Sequence, residues 1–116
     1  MKAYTSFNQS KKLAEILPHN TADNIYERVV IAGCNLDIPE DKQYIHRDIP
    51  FIYFSGVGIP CWSLAALLDY IKDNCGYFKL VYINSKDVYR LSINVYDAYN
   101  KELVDACYEM ILVLHE

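Results

Sequence analysis

Positive charge is scarce in this chain and nowhere gathered. Arginine occurs only as Arg28, Arg47 and Arg90, the eight lysines are scattered, and Lys11-Lys12 is the densest basic pair. The formal net charge is −4. Binding to duplex nucleic acid depends on clustered cations that displace counterions, and docking on an anionic membrane asks for a polybasic segment. Both are disfavoured. Long apolar runs are missing too: none approaches the roughly 18 residues of a membrane span, and residues 1–6 hold no apolar core of a secretory signal. Cys34, Cys61, Cys75 and Cys107 lie 27, 14 and 32 positions apart. That spacing is neither a dense disulfide framework nor paired zinc-ligand spacing. The expectation is a cytoplasmic protein with reduced thiols, no metal site and no cofactor.

What is present describes a folded domain. The 116 residues are 53% hydrophobic and 22% charged, enough to build one core without metal or crosslink. No repeat or linker divides them, so residues 1–116 read as a single domain. The surplus is in tyrosine, with 11 residues. Large flat rings that carry a hydroxyl suit strands, half-buried surfaces and interfaces.

Ser6 and Gln9 form a capping box ahead of a helix that runs to Leu17 and stops at Pro18. Val29-Val30-Ile31 suggests a strand within 24–32, ended by Gly33. Residues 37–48 read as a polar surface loop or an irregular edge excursion, and 51–54 as a short strand. A glycine loop, Ser55-Gly56-Val57-Gly58, then leads into the central helix at about 60–73. Pro60 opens that helix or Ser63 caps it, and Gly76 ends it in a left-handed turn. Segments 78–83 and 88–96 alternate as an antiparallel hairpin about Asn84-Ser85-Lys86-Asp87, with Tyr89, Leu91, Ile93 and Val95 on one face. A last helix begins at Asn100, with an apolar stripe of Leu103, Val104, Cys107, Met110, Ile111 and Leu114.

The pattern predicts an α+β fold: an antiparallel sheet of three to five strands with about three helices on one face. Leu13, Ile16, Leu17, Leu64, Leu67, Leu68, Ile71, Leu91, Ile93, Met110, Ile111 and Leu114 should be buried, as should Trp62.

Three stretches carry a resemblance: Gln9-Ser10-Lys11-Lys12-Leu13-Ala14-Glu15-Ile16-Leu17-Pro18, then Pro60-Cys61-Trp62-Ser63-Leu64-Ala65-Ala66-Leu67-Leu68, and Asp105-Ala106-Cys107-Tyr108-Glu109-Met110-Ile111. Together, with Ile59 ahead of the second stretch and Leu114-His115 after the third, they resemble small uncharacterised proteins of gut bacteria, their phages and mobile elements. The resemblance implies a small cytoplasmic protein and transfers no catalytic residue.

Cys61 is the sharpest chemical candidate, because a thiol at a helix start is favoured as thiolate by the free amides there. Its base would have to be His19, His46 or His115, and none stands in a local signature. Gly56 and Gly58 offer amides to an anion, although neither a phosphate-binding lysine nor a third glycine follows. Asp37, Glu40, Asp41 and Asp48 lack calcium-loop spacing and read as a solvated loop. Tyr82, Tyr89 and Tyr96 form a possible stacking platform, without the positive groove that single-stranded nucleic acid requires. The leading expectation is a non-catalytic accessory protein that binds a protein partner or itself. The alternative is a small cysteine-dependent enzyme using Cys61.

Overall fold

The computed structural model describes residues 1–29 and 38–115. The fold is α+β, with three helices and six strands among the described residues, the strands in two antiparallel sheets of three. The chain divides into two compact units, one built from residues 6–62 and the other from 1–5 with 63–116. Each unit holds one of the sheets.

The 6–62 unit opens with α1 (Phe7–Ala14). Its capping box is complete: Gln9 N donates to Ser6 Oγ at 3.2 Å and Ser6 N donates to Gln9 Oε1 at 2.9 Å. Regular helix stops at Ala14, three residues before the expected end, and a tighter turn carries the chain to Pro18. Leu13 and Leu17 are buried, whereas Ile16 is half-exposed because it falls in that turn.

Strand β1 (Asn24–Arg28) is the centre of the first sheet, between β2 (Tyr44–Arg47) and β3 (Gly58–Cys61). Two expectations change here. The stretch read as a surface loop or irregular edge excursion contains a regular edge strand, β2, which pairs His46 with Tyr26 and Ile45 with Glu27. In place of the strand expected at 51–54, Phe51–Tyr53 make a 3-10 turn, with Ile52 and Tyr53 exposed. The expected strand residues Val30 and Ile31, and Gly33 with Cys34 and Asp37, lie outside the described residues.

The approach to the central helix also differs. Pro60 sits in β3 opposite Ile25, which an edge strand tolerates because its outer side needs no ladder donor. Ser63 is the cap of α2 (Leu64–Asn74), accepting from Ala66 N at 3.1 Å. Gly76, at φ +87, turns the chain out of that helix as expected.

The second sheet belongs to the other unit. Its strands β4 (Lys79–Ile83), β5 (Val88–Ile93) and β6 (Tyr96–Asn100) run as consecutive antiparallel neighbours. The 79–93 hairpin matches its alternation, with Asp87 accepting a left-handed φ of 51° at the turn end. Asn94, at φ 55°, ends β5 three residues early, at Ile93, and starts a second tight turn. Val95 is therefore a turn residue in solvent and not part of the buried face.

Helix α3 (Leu103–Leu114) packs on β5 and β6 and against α2, burying Leu103, Val104, Ala106, Cys107, Met110 and Ile111. The helix starts three residues after the expected Asn100, which ends β6 and whose Oδ1 accepts from the N–H of the cap residue Glu102 at 3.0 Å. Leu64, Leu68 and Leu114 are half-buried. Leu64 and Leu68 line an open hollow of about 510 Å³ with residues 1–3.

Candidate functional site

Tyr82 and Tyr89 are brought together by the hairpin register. Tyr82 on β4 faces Tyr89 on β5, and a cross-strand pair on one face places side chains within contact range. Their ring centroids are 5.1 Å apart with the planes at 54°. The Tyr82 hydroxyl donates to Asp87 at the turn, and this hydrogen bond pushes the phenol above its ordinary pKa.

The pair forms one wall of a pocket of about 330 Å³, completed by Met1, Asp87, Lys101 and Glu102. Lys101 and Glu102 enter from the β6–α3 junction. The Glu102 carboxylate is held in place by the Lys2 backbone amide, which donates to Oε2 at 2.8 Å. Lys2 Nζ in turn pairs with Asp105 at 2.7 Å. The result is a small hollow lined by two tyrosines, the carboxylates of Asp87 and Glu102, and the ammonium groups of Lys101 and Met1. Tyr96 does not join it: that residue pairs with Ile93 at the opposite end of β5, so the three tyrosines form no continuous platform.

The same sheet is unevenly covered. Leu91 on β5 is fully buried under α3, while Leu80, directly opposite on β4, is 39% exposed and Tyr82 is 44% exposed. Among the described residues no strand pairs with the outer edge of β4. Apolar surface thus continues past the helix onto a strand whose edge still offers backbone donors and acceptors.

Cys61 occupies a different setting from the one expected. It lies on β3, two residues ahead of the helix cap, and is 0% exposed. It pairs with Asn24 on β1. Alternation along β1 and pairing across to β2 put Cys61, Asn24, Tyr26 and His46 on one face. His46 Nε2 lies 2.8 Å from Asn24 Oδ1, and Asn24 Nδ2 donates to Asp23 at 2.9 Å. Orienting the Asn24 amide this way makes His46 the donor. Burial lowers the His46 pKa, partly opposed by Asp48.

The other two histidines are engaged locally. His19 Nε2 contacts the Ala14 carbonyl at 2.8 Å. His115 Nδ1 contacts the Ile111 carbonyl at 2.9 Å, and its Nε2 lies 3.0 Å from the Tyr70 hydroxyl. Cys107 is buried and its thiol is pushed up to about 12, and burial also raises Cys75. Neither environment favours a thiolate.

Gly56 and Gly58 lead into β3 and not into a helix, so their amides do not gather at a helix start. They make room for the Phe54 ring. A Cβ on Gly56 would stand 2.7 Å from Phe54 Cζ, and one on Gly58 would stand 2.8 Å from Phe54 Cε2 and 3.0 Å from the Tyr26 carbonyl. Glu40 is tied to Lys11 at 2.7 Å. No group of three acidic, histidine or cysteine side chains suited to a metal occurs among the described residues. None of the described helices is long and apolar enough to cross a membrane.

Of the four binding candidates in the sequence, the fold gathers Tyr82 and Tyr89 into a pocket. Asp87, Lys101 and Glu102 were missed. The register signal for Asp87 was present, since a four-residue turn places it beside Tyr82; the junction pair had none. No family model, curated protein or solved structure matches this chain.

Proposed function

We propose that this is a non-catalytic accessory protein that binds an extended segment of another protein along β4. The observation that carries this reading is the uncovered continuation of the apolar face, Leu80 and Tyr82, on a strand whose outer edge is paired by no strand among the described residues. A strand added there gains main-chain hydrogen bonds from the edge and specificity from alternate side chains. Aromatic side chains supply contact area at low entropic cost. Only Lys79 guards the strand with charge, and β4 carries neither proline nor bulge.

A photo-crosslinking residue at position 80 tests this. It should give a discrete adduct in the cell extract, whereas the same group at Lys72 on α2 should give none. Absence of any adduct specific to position 80 would remove the reading. An adduct between two copies, with a dimer by light scattering, would convert it to self-association.

The alternative, a cysteine-dependent enzyme, draws support from His46 and Asn24 sharing a sheet face with Cys61. Full burial of the thiol weighs against it, because a nucleophile needs a path to its substrate. Iodoacetamide labelling separates the two. Cys61 reacting first and below neutral pH would favour the enzyme, and a silent Cys61 in the folded chain would remove it.

A further inference from the structure

We infer that two copies of this chain associate by seating the exposed Ile52 and Tyr53 of one copy in the apolar hollow beside α2 of the other. Neither surface includes β4, so the inference goes beyond the edge-docking reading and does not depend on it.

Ile52 and Tyr53 are neighbours on the turn Phe51–Tyr53, 58% and 77% exposed. Large apolar side chains that stand together in solvent mark a contact surface, as single scattered ones do not. The turn that carries them is fixed. Tyr53 N donates to the Pro50 carbonyl at 3.0 Å, Phe54 N to the Phe51 carbonyl at 3.1 Å, and Phe51 N to the Ala22 carbonyl at 3.1 Å. The Phe51 ring also meets the His19 ring edge-on at 5.3 Å. A turn already held in place costs little further ordering when it binds.

The receiving surface belongs to the other unit. Residues 1–3 with Ser63, Leu64, Ala65 and Leu68 surround about 510 Å³ that opens to solvent. That volume lies in the range of small-ligand sites, so two side chains fit. Leu64 and Leu68 are half-buried and gain cover from them. The charges in the hollow are the ammonium groups of Met1 and Lys2, the latter paired with Asp105 at 2.7 Å. A tyrosine hydroxyl suits them as an acceptor, which a purely aliphatic tip would lack.

Charge selects a second copy as the guest. The chain carries no charged residue between Asp48 and Asp69, and this one stretch supplies both Ile52-Tyr53 and the α2 wall of the hollow. Two chains of net charge −4 repel each other. They approach at least cost where neither face includes a carboxylate. Each copy holds both halves of the contact, so copies match without a third molecule. The contact is small: an aromatic side chain contributes about 150–250 Å², against roughly 800 Å² per partner in a standard interface. Association is therefore weak and depends on concentration.

Sedimentation velocity of the full chain, from micromolar to millimolar concentration, should show the average mass rising. Tyr53→Lys sets a cation against the two ammonium groups, and Ala65→Glu places a carboxylate beside them inside the hollow. Both positions are exposed, so circular dichroism should not change. Each variant alone should stay monomeric. Mixed in equal amounts they should form a one-to-one dimer, because Tyr53→Lys keeps the hollow and Ala65→Glu keeps the turn. NMR of that mixture should shift Ile52 in labelled Ala65→Glu and Leu68 in labelled Tyr53→Lys. Tyr53→Phe should still associate, more weakly than the parent. If Ala65→Glu fails to fold, Ala65→Gln takes its place in the same scheme. A parent that is monomeric throughout, a variant that associates by itself, or a mixture that stays monomeric would each overturn the inference. Association that instead shifts β4 amides would overturn it too, and would leave β4 docking standing.

Discussion

Both sheets tie polar side chains together, the second through Arg90, Ser92 and Asp97, but they differ in what they leave in solvent. In the sheet β2-β1-β3, polar side chains satisfy one another within the unit: Asn24 bridges Asp23 and His46, and the Trp62 indole donates to Thr21 Oγ1 at 2.9 Å. Thr21 completes the chain by donating to the Pro18 carbonyl at 2.6 Å. In the sheet β4-β5-β6, aromatic residues are left in solvent, with Tyr82, Tyr96 and Tyr99 all exposed. A sheet whose polar groups close over a buried tryptophan is built for stability. One that ends in exposed rings around a charged hollow retains interactions for something else to complete.

The largest effect should come from breaking the first sheet's closed network. Trp62 is 0% exposed and sits where β3 hands over to α2. Trp62→Ala should cost about 3–5 kcal/mol, as large aromatic truncations in cores do. Thr21→Val should cost about 1–3 kcal/mol, because it leaves the indole donor without its acceptor. Urea titration followed by circular dichroism measures both. If Trp62→Ala is as stable as the parent, that residue does not anchor the core and the comparison collapses.

A matched pair of substitutions sharpens the contrast within the second sheet. Leu91 and Leu80 face each other across one ladder, one buried under α3 and the other partly bare. Leu91→Ala should cost about 2–5 kcal/mol, whereas Leu80→Ala should stay within about 1 kcal/mol because much of its area is already in water. Equal losses in urea would mean that β4 is covered as fully as β5, and the docking surface would disappear. Stability kept on Leu80→Ala together with a lost position-specific partner adduct would separate binding from folding.

Much of this architecture can be read from local chemistry, and what cannot has a common cause. Ser6 with Gln9, Ser63 and Gly76 mark helix boundaries because capping depends on neighbours in sequence. The 79–93 hairpin is legible for the same reason, since a short turn fixes its register. Strand β2 escapes because Tyr44-Ile45-His46-Arg47 has no apolar alternation and gains its identity only from pairing with β1. Strand β3 escapes because Gly58 and Pro60 disfavour a strand unless it lies at an edge, and edges are a property of topology. The candidate site divides along the same line. Tyr82, Tyr89 and Asp87 belong to one hairpin, while Lys101 and Glu102 reach it through the return of β6.

Glycine at the head of β3 offers a third, smaller break. Gly58→Ala should cost about 1–3 kcal/mol, the usual penalty for overpacking, because its Cβ meets both the Phe54 ring and the Tyr26 carbonyl. Phe54 is a flexible side chain and the carbonyl is not. Pairing Gly58→Ala with Phe54→Ala should therefore relieve part of the loss and not all of it. Full relief in thermal melts would show that the ring alone sets the glycine requirement.

The smallest effect concerns protons and again distinguishes the sheets. His46 is neutral by preference: removal from water lowers its pKa below the ordinary 6.5, and the nearby Asp48 only partly offsets this. The unfolded chain therefore takes up a proton more readily than the folded one as pH falls. Stability should be fully present above 6.5 and should decline as pH drops through that value toward the lower folded pKa, becoming flat beneath it. The slope follows from the proton difference alone, so removing the imidazole must remove it. Glutamine at position 46 keeps a side-chain donor for Asn24 Oδ1 and does not titrate. Urea midpoints taken from neutral pH downward should fall less steeply for His46→Gln than for the parent. If the two profiles run parallel, His46 is charged as easily in the folded sheet as in water. The first sheet would then not be the closed, desolvated network that its hydrogen bonds describe.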